Sequence, residues 1–298
     1  MDGKIAVQFN NFKVTRYAYQ KLYYCTKCSR YTVLDNNVCP GCGWKKLVSI
    51  DKQFDTTLKR RFQIDIIVLL ILFLTGIMLS RNLNEIYIMV AAGIVLCVLF
   101  LLLKSIFKKS ECTTIMMSFF NDHNDNIFNG LKMDAEAAWV KMNGGDFKCA
   151  YEDFREIGVL LQNDSIRLSK LICLSRFILR SDMALELESL VMTDYNAILI
   201  NYINEVLRLN MGLVKKNVIE YVIANESSIL SEQDGFQILG NIAGAMIRSS
   251  QNVLLYKEFI IRYLNAMKKE RLERLYRLLK QGHPDELDEL YSLVSKRV

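Results

Sequence analysis

Hydrophobic and polar positions follow three patterns along the chain. Runs such as KLYYC, RYTVL and WKKLVSI lie between residues 21 and 50 and are typical of short β-strands, with a turn at residues 35–37. Two long apolar runs follow at residues 62–80 and 86–107. From Ser118 onward, apolar residues recur at i, i+3, i+4 and i+7, which predicts helices. We therefore predict three domains, at residues 1–58, 59–109 and 110–298.

The two apolar runs predict a transmembrane helical hairpin. Each is about long enough to cross a hydrocarbon core of roughly 30 Å, and only RNLNE separates them. Basic residues flank the pair on its outer sides: Lys59, Arg60, Arg61, Lys104, Lys108 and Lys109. By the positive-inside bias both termini are cytoplasmic. This predicts a multi-pass protein of the cell inner (plasma) membrane.

Polar and small residues within the hairpin raise two further possibilities. Asp65 is either a functional intramembrane carboxylate or, as we favour, a headgroup-level residue beside Arg61. Gly76 and the small residues 91–93 permit close helix approach, so a homo-oligomer is possible. With no other central charge, the hairpin is interpreted as an anchor.

Charge and cysteine usage distinguish the N-terminal part from the rest. The whole chain carries a formal charge of +6, whereas residues 1–61 hold twelve Lys/Arg against four Asp/Glu, and residues 111–298 hold 22 against 26. Four of the eight cysteines are scattered without a pairing pattern and the other four form CxxC pairs, which together indicate a reducing compartment. Partners of opposite charge are therefore expected at the N-terminal part, with anionic membrane lipids the first choice.

Two CxxC pairs stand ten residues apart in CTKCSRYTVLDNNVCPGCGW. Two such turns supply the four thiolates that tetrahedral zinc prefers, so zinc is predicted at Cys25, Cys28, Cys39 and Cys42. Pro40, Gly41 and Gly43 suit the tight turn of the second pair. A closed site of this kind favours a structural zinc over a redox dithiol or a catalytic zinc.

This stretch, about residues 20–50, resembles the zinc-ribbon family. The resemblance implies a small β-fold held by metal, and family members bind nucleic acid, bind protein or only stabilise a short domain. A nucleic-acid surface would use cations and aromatic residues that alternate along the ribbon, namely Lys21, Lys27, Arg30, Lys45, Lys46, Tyr23, Tyr24, Tyr31 and Trp44. Docking on lipid headgroups or on a protein is favoured over nucleic acid.

The last two thirds predict an all-α cytosolic domain of eight to ten helices, either solenoid-like or a compact bundle. AAWVKMNGGDFKCAYEDFREIG resembles a tetratricopeptide repeat, with Ala138, Ala150 and Phe154 at packing positions and Lys141 where the family has an aromatic residue. A fainter second unit is placed at Ala184, one 34-residue period after Ala150. The resemblance implies a concave surface that binds protein segments.

No catalytic residues are predicted, and the protein is not expected to be an enzyme. The two histidines are expected to have structural roles. His123 is interpreted as a loop or helix-cap residue, and His283 as part of a helix stop with Pro284. We predict a membrane-anchored adaptor or scaffold that recruits a protein partner through the helical domain. The alternatives are an oligomeric membrane effector or channel-like component, as in stress or phage defence, and a membrane-tethered nucleic-acid binder.

Overall fold

The computed structural model describes residues 3–34, 38–80, 82–281 and 285–297. The predicted turn at residues 35–37, Arg81 of the hairpin loop, and the helix stop at His283 and Pro284 lie outside them. The chain divides into two compact units, one of Lys13–Asp134 and one that combines Met1–Phe12 with Ala135–Val298.

The first unit contains the small β-sheet that the sequence predicts. A 3-10 helix at Ala18–Lys21 precedes three antiparallel strands in the order β2-β1-β3, which are β1 (Tyr23–Cys25), β2 (Tyr31–Thr32) and β3 (Leu47–Ser49). Leu22, Tyr31, Val33 and Ile50 are buried at its centre. Fewer than a dozen strand residues make a small core, as expected of a fold that relies on a metal.

Two long helices continue from the sheet. Helix α1 (Ile50–Leu79) begins directly after β3, and helix α2 (Leu83–Asn143) runs for 61 residues. The predicted domain boundaries at 58/59 and 109/110 therefore fall inside helices. The interpretation of His123 as a loop or cap residue is wrong, because it lies within α2 and stacks on Phe119 with ring centroids 4.4 Å apart.

The hairpin packs through its small residues. A Cβ at Gly93 would overlap the ring of Phe73, and one at Gly76 would come within 2.7 Å of the Met89 side chain. These glycines thus serve packing between α1 and α2 of one chain. Both helices are long and apolar enough to span a membrane, and the apolar window of each is entirely unburied.

The second unit is helical in the described residues. Its ten helices beyond α2 are α3 (Phe147–Ile157), α4 (Asp164–Ser175), α5 (Ala197–Leu209), α6 (Lys216–Ala224), α7 (Glu226–Leu230), α8 (Gly235–Met246), α9 (Ser250–Leu255), α10 (Lys257–Arg262), α11 (Lys269–Lys280) and α12 (Asp288–Ser295). Several are shorter than the 10–18 residues that the spacing of apolar positions and turns predicts, since the apolar run at 253–267 breaks into α9, α10 and a 3-10 helix. An all-α domain is confirmed.

The second repeat unit predicted at Ala184 is wrong. Residues 178–187 contain no helix, and Phe177 instead forms a parallel β-bridge with Ile5. The Ile5 amide donates to the Arg176 carbonyl at 2.8 Å, and the Ile178 amide donates to the Ile5 carbonyl at 2.9 Å. Backbone groups that a continued helix would use are therefore paired with the N-terminal segment.

Candidate metal centre

The structure brings the four predicted cysteine ligands together. Their sulfur atoms all lie within 4.8 Å of one another, and Cys25–Cys42 and Cys28–Cys39 are each 3.6 Å apart. Zinc–sulfur bonds of about 2.3 Å in a tetrahedron place sulfurs about 3.8 Å apart. The sulfur cage therefore fits a metal ion such as zinc, and within the described residues it is the one His/Cys/Asp/Glu group found to do so.

The two CxxC turns have the same backbone hydrogen bonds. In the first, the Ser29 amide donates to the Cys25 carbonyl at 2.9 Å, and the Cys25 amide donates to the Arg30 carbonyl. In the second, the Gly43 amide donates to the Cys39 carbonyl at 2.9 Å, and the Cys39 amide donates to the Trp44 carbonyl. Two equivalent turns thus present two sulfurs each to one point.

Both turns need a residue in the left-handed region at the same place. Gly43 has φ of +69° and Ser29 has φ of +57°. Glycine adopts this conformation without a steric penalty, whereas serine does not. The first turn therefore carries strain that the second avoids.

Backbone amides also stabilise the thiolate form of Cys25. Burial raises the pKa of Cys25, but the backbone N–H groups of Cys28 and Lys27, together with the Cys28 and Cys42 thiols, bring it down to about 6. Burial and the contacts with the other three sulfurs raise the pKa of Cys28 to about 12. The apo cluster therefore favours one thiolate among its sulfurs, and a bound divalent ion would favour the thiolate form of the others. When bound, a divalent ion would neutralise negative charge and cross-link the two turns, a structural role.

The three-stranded sheet and its two cysteine turns, here called the ribbon (residues 20–34 and 38–50), dock on helix α2 through a buried ion pair. Arg30 donates to Asp134 at 2.6 Å, and Asp134 also accepts from the Thr32 hydroxyl at 2.7 Å and the Val33 amide at 3.1 Å. Asp134 is fully buried. Burial raises the pKa of this carboxyl, and the hydrogen bonds from Thr32, Val33 and Arg30 act in the opposite direction.

Packing between the ribbon and α2 surrounds this pair. A Cβ at Gly130 would overlap the backbone carbonyl of Tyr31. Tyr31 also packs edge-on against Phe119 and His123, with centroids 6.2 and 6.1 Å away. The sequence carries a signal for this contact, because Ile127, Gly130, Leu131 and Asp134 are spaced i, i+3, i+4 and i+7 and so share one helix face.

These contacts occupy several residues that were candidates for nucleic-acid binding. Arg30 is paired with Asp134, and Lys21 and Tyr31 are buried. Lys27, Lys45 and Lys46 remain exposed, and Lys27 lies 5.4 Å from the ring centroid of the exposed Trp44. The outward surface of the ribbon is therefore a smaller basic patch than the sequence suggested.

A second polar cluster joins the two apolar helices. Lys104 contacts Asp65 at 2.7 Å and Glu111 at 2.9 Å. It borders a cavity of about 480 Å³ lined by Arg61, Phe100, Leu103, Lys104, Phe107, Ser110, Glu111, Thr114 and Ile115. Asp65 thus has an ion-pair partner on α2, which the sequence interpretation, with its focus on Arg61, did not anticipate.

In comparisons with known proteins, no family model, no curated protein and no solved structure matches the chain.

Proposed function

We propose that the protein is a membrane-anchored adaptor that recruits a protein partner through its helical unit. The observation that carries the anchor is that no residue in the apolar windows of α1 and α2 is buried. Soluble proteins seldom expose contiguous apolar patches beyond a few hundred Å², and two such helices exceed this by a wide margin. A bilayer would accommodate these side chains, because its hydrocarbon core is as apolar as they are.

In this proposal the basic flanks set the topology. Lys59, Arg60 and Arg61 stand before the apolar window of α1, and Lys104 stands at the end of the window in α2. Positive flanks favour the cytoplasmic side, so both termini face the cytosol of a cell with an inner (plasma) membrane. A reducing cytosol also suits the eight free cysteines.

The zinc ribbon is proposed to be a rigid element beside the bilayer. β3 continues into α1 without a linker, so zinc at the four cysteines would fix the start of the first span. The exposed Lys27, Lys45 and Lys46 would meet anionic headgroups, each worth about 1 kcal/mol near the surface.

The helical unit supplies the recruiting surface in this proposal. Ala138, Ala150 and Phe154 are fully buried at the packing positions of the tetratricopeptide-like pair, and Gly145 has φ of +87° in its turn. Lys141, which replaces the family aromatic, contacts Asp153 at 2.5 Å. These features support a helix pair of that kind, whose relatives bind protein segments.

The proposal is tested by replacing the apolar window of each span with an unrelated apolar sequence of equal length. An adaptor needs only an anchor, so the chain with replaced windows should remain in carbonate-washed membranes. It should also cross-link to the same protein partner as the native chain. A chain that washes off the membrane in its native form contradicts the anchor. A matched exchange that keeps Asp65 and Lys104 serves as the control.

An oligomeric membrane effector is the second candidate, and the Asp65–Lys104 pair favours it. Ionisable residues inside membrane spans are costly and commonly functional, and this pair links α1 to α2 at 2.7 Å. If the protein is an effector, the chain with both apolar windows replaced should still cross-link to its partner but should lose its activity in cells. The control chain, which keeps Asp65 and Lys104, should retain that activity.

A further inference from the structure

The cavity of about 480 Å³ between α1 and α2, here called the hairpin cavity, lies where the apolar runs of both helices end. Arg61 stands just before the apolar run of α1, and Phe107 is the last residue of the apolar window of α2. Both residues line the cavity, so it opens at one end of the hairpin. In a bilayer this is the level of the lipid headgroups.

The lining of the hairpin cavity changes from apolar to polar along α2. Phe100 and Leu103 belong to the apolar window, whereas Ser110, Glu111 and Thr114 follow it. A phospholipid has the same order of groups, with acyl chains on one side of its headgroup and water on the other. Pockets between membrane spans that hold cationic side chains are known to bind phospholipid headgroups.

The polar cluster at Lys104 has more negative than positive charge. The Lys104 ammonium contacts Asp65 at 2.7 Å, and it donates to the two carboxylate oxygens of Glu111 at 2.9 and 3.0 Å. Two carboxylates share one ammonium, so one negative charge is left without a counter-charge in the cluster. A surplus charge this close to a hydrocarbon core favours a bound counter-ion.

Arg61 supplies a positive charge without a partner at the same cavity. Its guanidinium forms no ion pair or hydrogen bond with any residue that the structure describes. Asp65, one turn further along α1, is paired with Lys104 instead. A guanidinium suits a phosphate group, because it can donate two parallel hydrogen bonds to two oxygens. The hairpin cavity therefore offers one free cation and one surplus negative charge.

We propose that the hairpin cavity binds the headgroup of a zwitterionic phospholipid that carries a primary ammonium, as phosphatidylethanolamine does. Arg61 would hold the phosphate, and Glu111 would accept hydrogen bonds from the ammonium. A headgroup with a negative net charge would leave the surplus carboxylate unbalanced, and a quaternary ammonium has no N–H group to donate. This site rests on the proposed membrane anchor, because a lipid can reach it only in a bilayer.

The test titrates the full chain in detergent with single phospholipids of the same acyl chains and measures the lipid-bound states by native mass spectrometry. Phosphatidylethanolamine should bind about tenfold more tightly than phosphatidylcholine or phosphatidylglycerol, because it alone offers both a phosphate and an ammonium donor. Glu111→Gln should abolish this preference, since an amide does not balance the ammonium charge.

Arg61→Gln should weaken the binding of phosphatidylethanolamine by about tenfold, because the phosphate loses a charge-assisted pair of hydrogen bonds. Arg60→Gln is the matched control. Arg60 is the adjacent residue, is exposed and does not line the cavity. Its replacement removes the same charge from the basic flank and should leave lipid binding unchanged.

Equal affinity for the three lipids, or tighter binding of phosphatidylglycerol, overturns the proposal. So does an equal loss of affinity in Arg60→Gln and Arg61→Gln, since the basic flank as a whole then attracts the lipid. If the native chain remains in carbonate-washed membranes but shows no lipid preference, the site is wrong and the anchor stands. If carbonate removes the native chain, the anchor is wrong and the site with it.

Discussion

Ser29 and Gly43 occupy equivalent places in the two CxxC turns. Each lies one residue beyond the second cysteine of its pair, and each amide donates to the carbonyl of the first cysteine. Both have positive φ, at +57° and +69°. The equivalence makes one residue a natural control for the other.

Ser29→Gly should tighten zinc binding, and Gly43→Ser should weaken it. The left-handed conformation costs a residue with a Cβ about 1–2 kcal/mol, of which the flexibility of glycine offsets a part. Because metal affinity includes the folding free energy of the ribbon, we expect binding about two- to fivefold tighter for Ser29→Gly and weaker by a similar factor for Gly43→Ser. Competition with a chelator of known affinity measures both. Two changes of the same sign would contradict the equivalence of the turns.

At this scale the sequence predicted the ligands but not their surroundings. The spacing of Cys25, Cys28, Cys39 and Cys42 identifies the cage because the chemistry of four thiolates is local. The Arg30–Asp134 pair joins residues 104 positions apart. Local patterns carry no information on such a pair, so Arg30 was assigned to the outer surface.

At the scale of elements, helix α2 is longer than its pattern indicated. The polar run NDHNDN around His123 predicts a loop or a helix cap, whereas the structure has one helix over Leu83–Asn143. Phe119, before the polar run, packs against Tyr31 and Phe54, and Ile127, after it, is buried. Tertiary packing therefore overrides the local preference of Asn and Asp.

Gly130→Ala should loosen the ribbon from α2 although it improves helix propensity. Alanine gains about 1 kcal/mol over glycine in a helix interior, but its Cβ would overlap the Tyr31 carbonyl, and forced shifts of packed backbone cost about 1–3 kcal/mol. We expect a net loss of about 1 kcal/mol and roughly fivefold faster hydrogen exchange at the β2 amides.

Asn129→Ala is the matched control, because Asn129 is exposed on the neighbouring position of α2. It should leave exchange at β2 unchanged or slightly slower. If Gly130→Ala also slows exchange, propensity outweighs the clash, and the close approach of α2 to β2 is wrong.

At the scale of the whole molecule, the two units are interleaved in sequence. Met1–Phe12 belongs with Ala135–Val298, and Lys13–Asp134 forms the other unit. The sequence predicted a small β-fold with four cysteines, two long apolar helices and a helical remainder, because cysteine spacing, the length of an apolar run and the helical period are all local signals. It could not place residues 3–12 on the helical unit, since a ten-residue extended segment has no period and its partners Tyr151, Phe177 and Glu205 are far along the chain.

The most direct test of the central claim, a closed structural zinc site in the ribbon, is the metal content of the purified full chain. Inductively coupled plasma mass spectrometry should find about one zinc per chain. Cys39→Ser, at a buried ligand, should remove most of it, whereas Cys149→Ser, at an exposed cysteine outside the cluster, should leave it unchanged. A native chain purified without zinc, or a Cys39→Ser chain that retains it in full, would contradict the account.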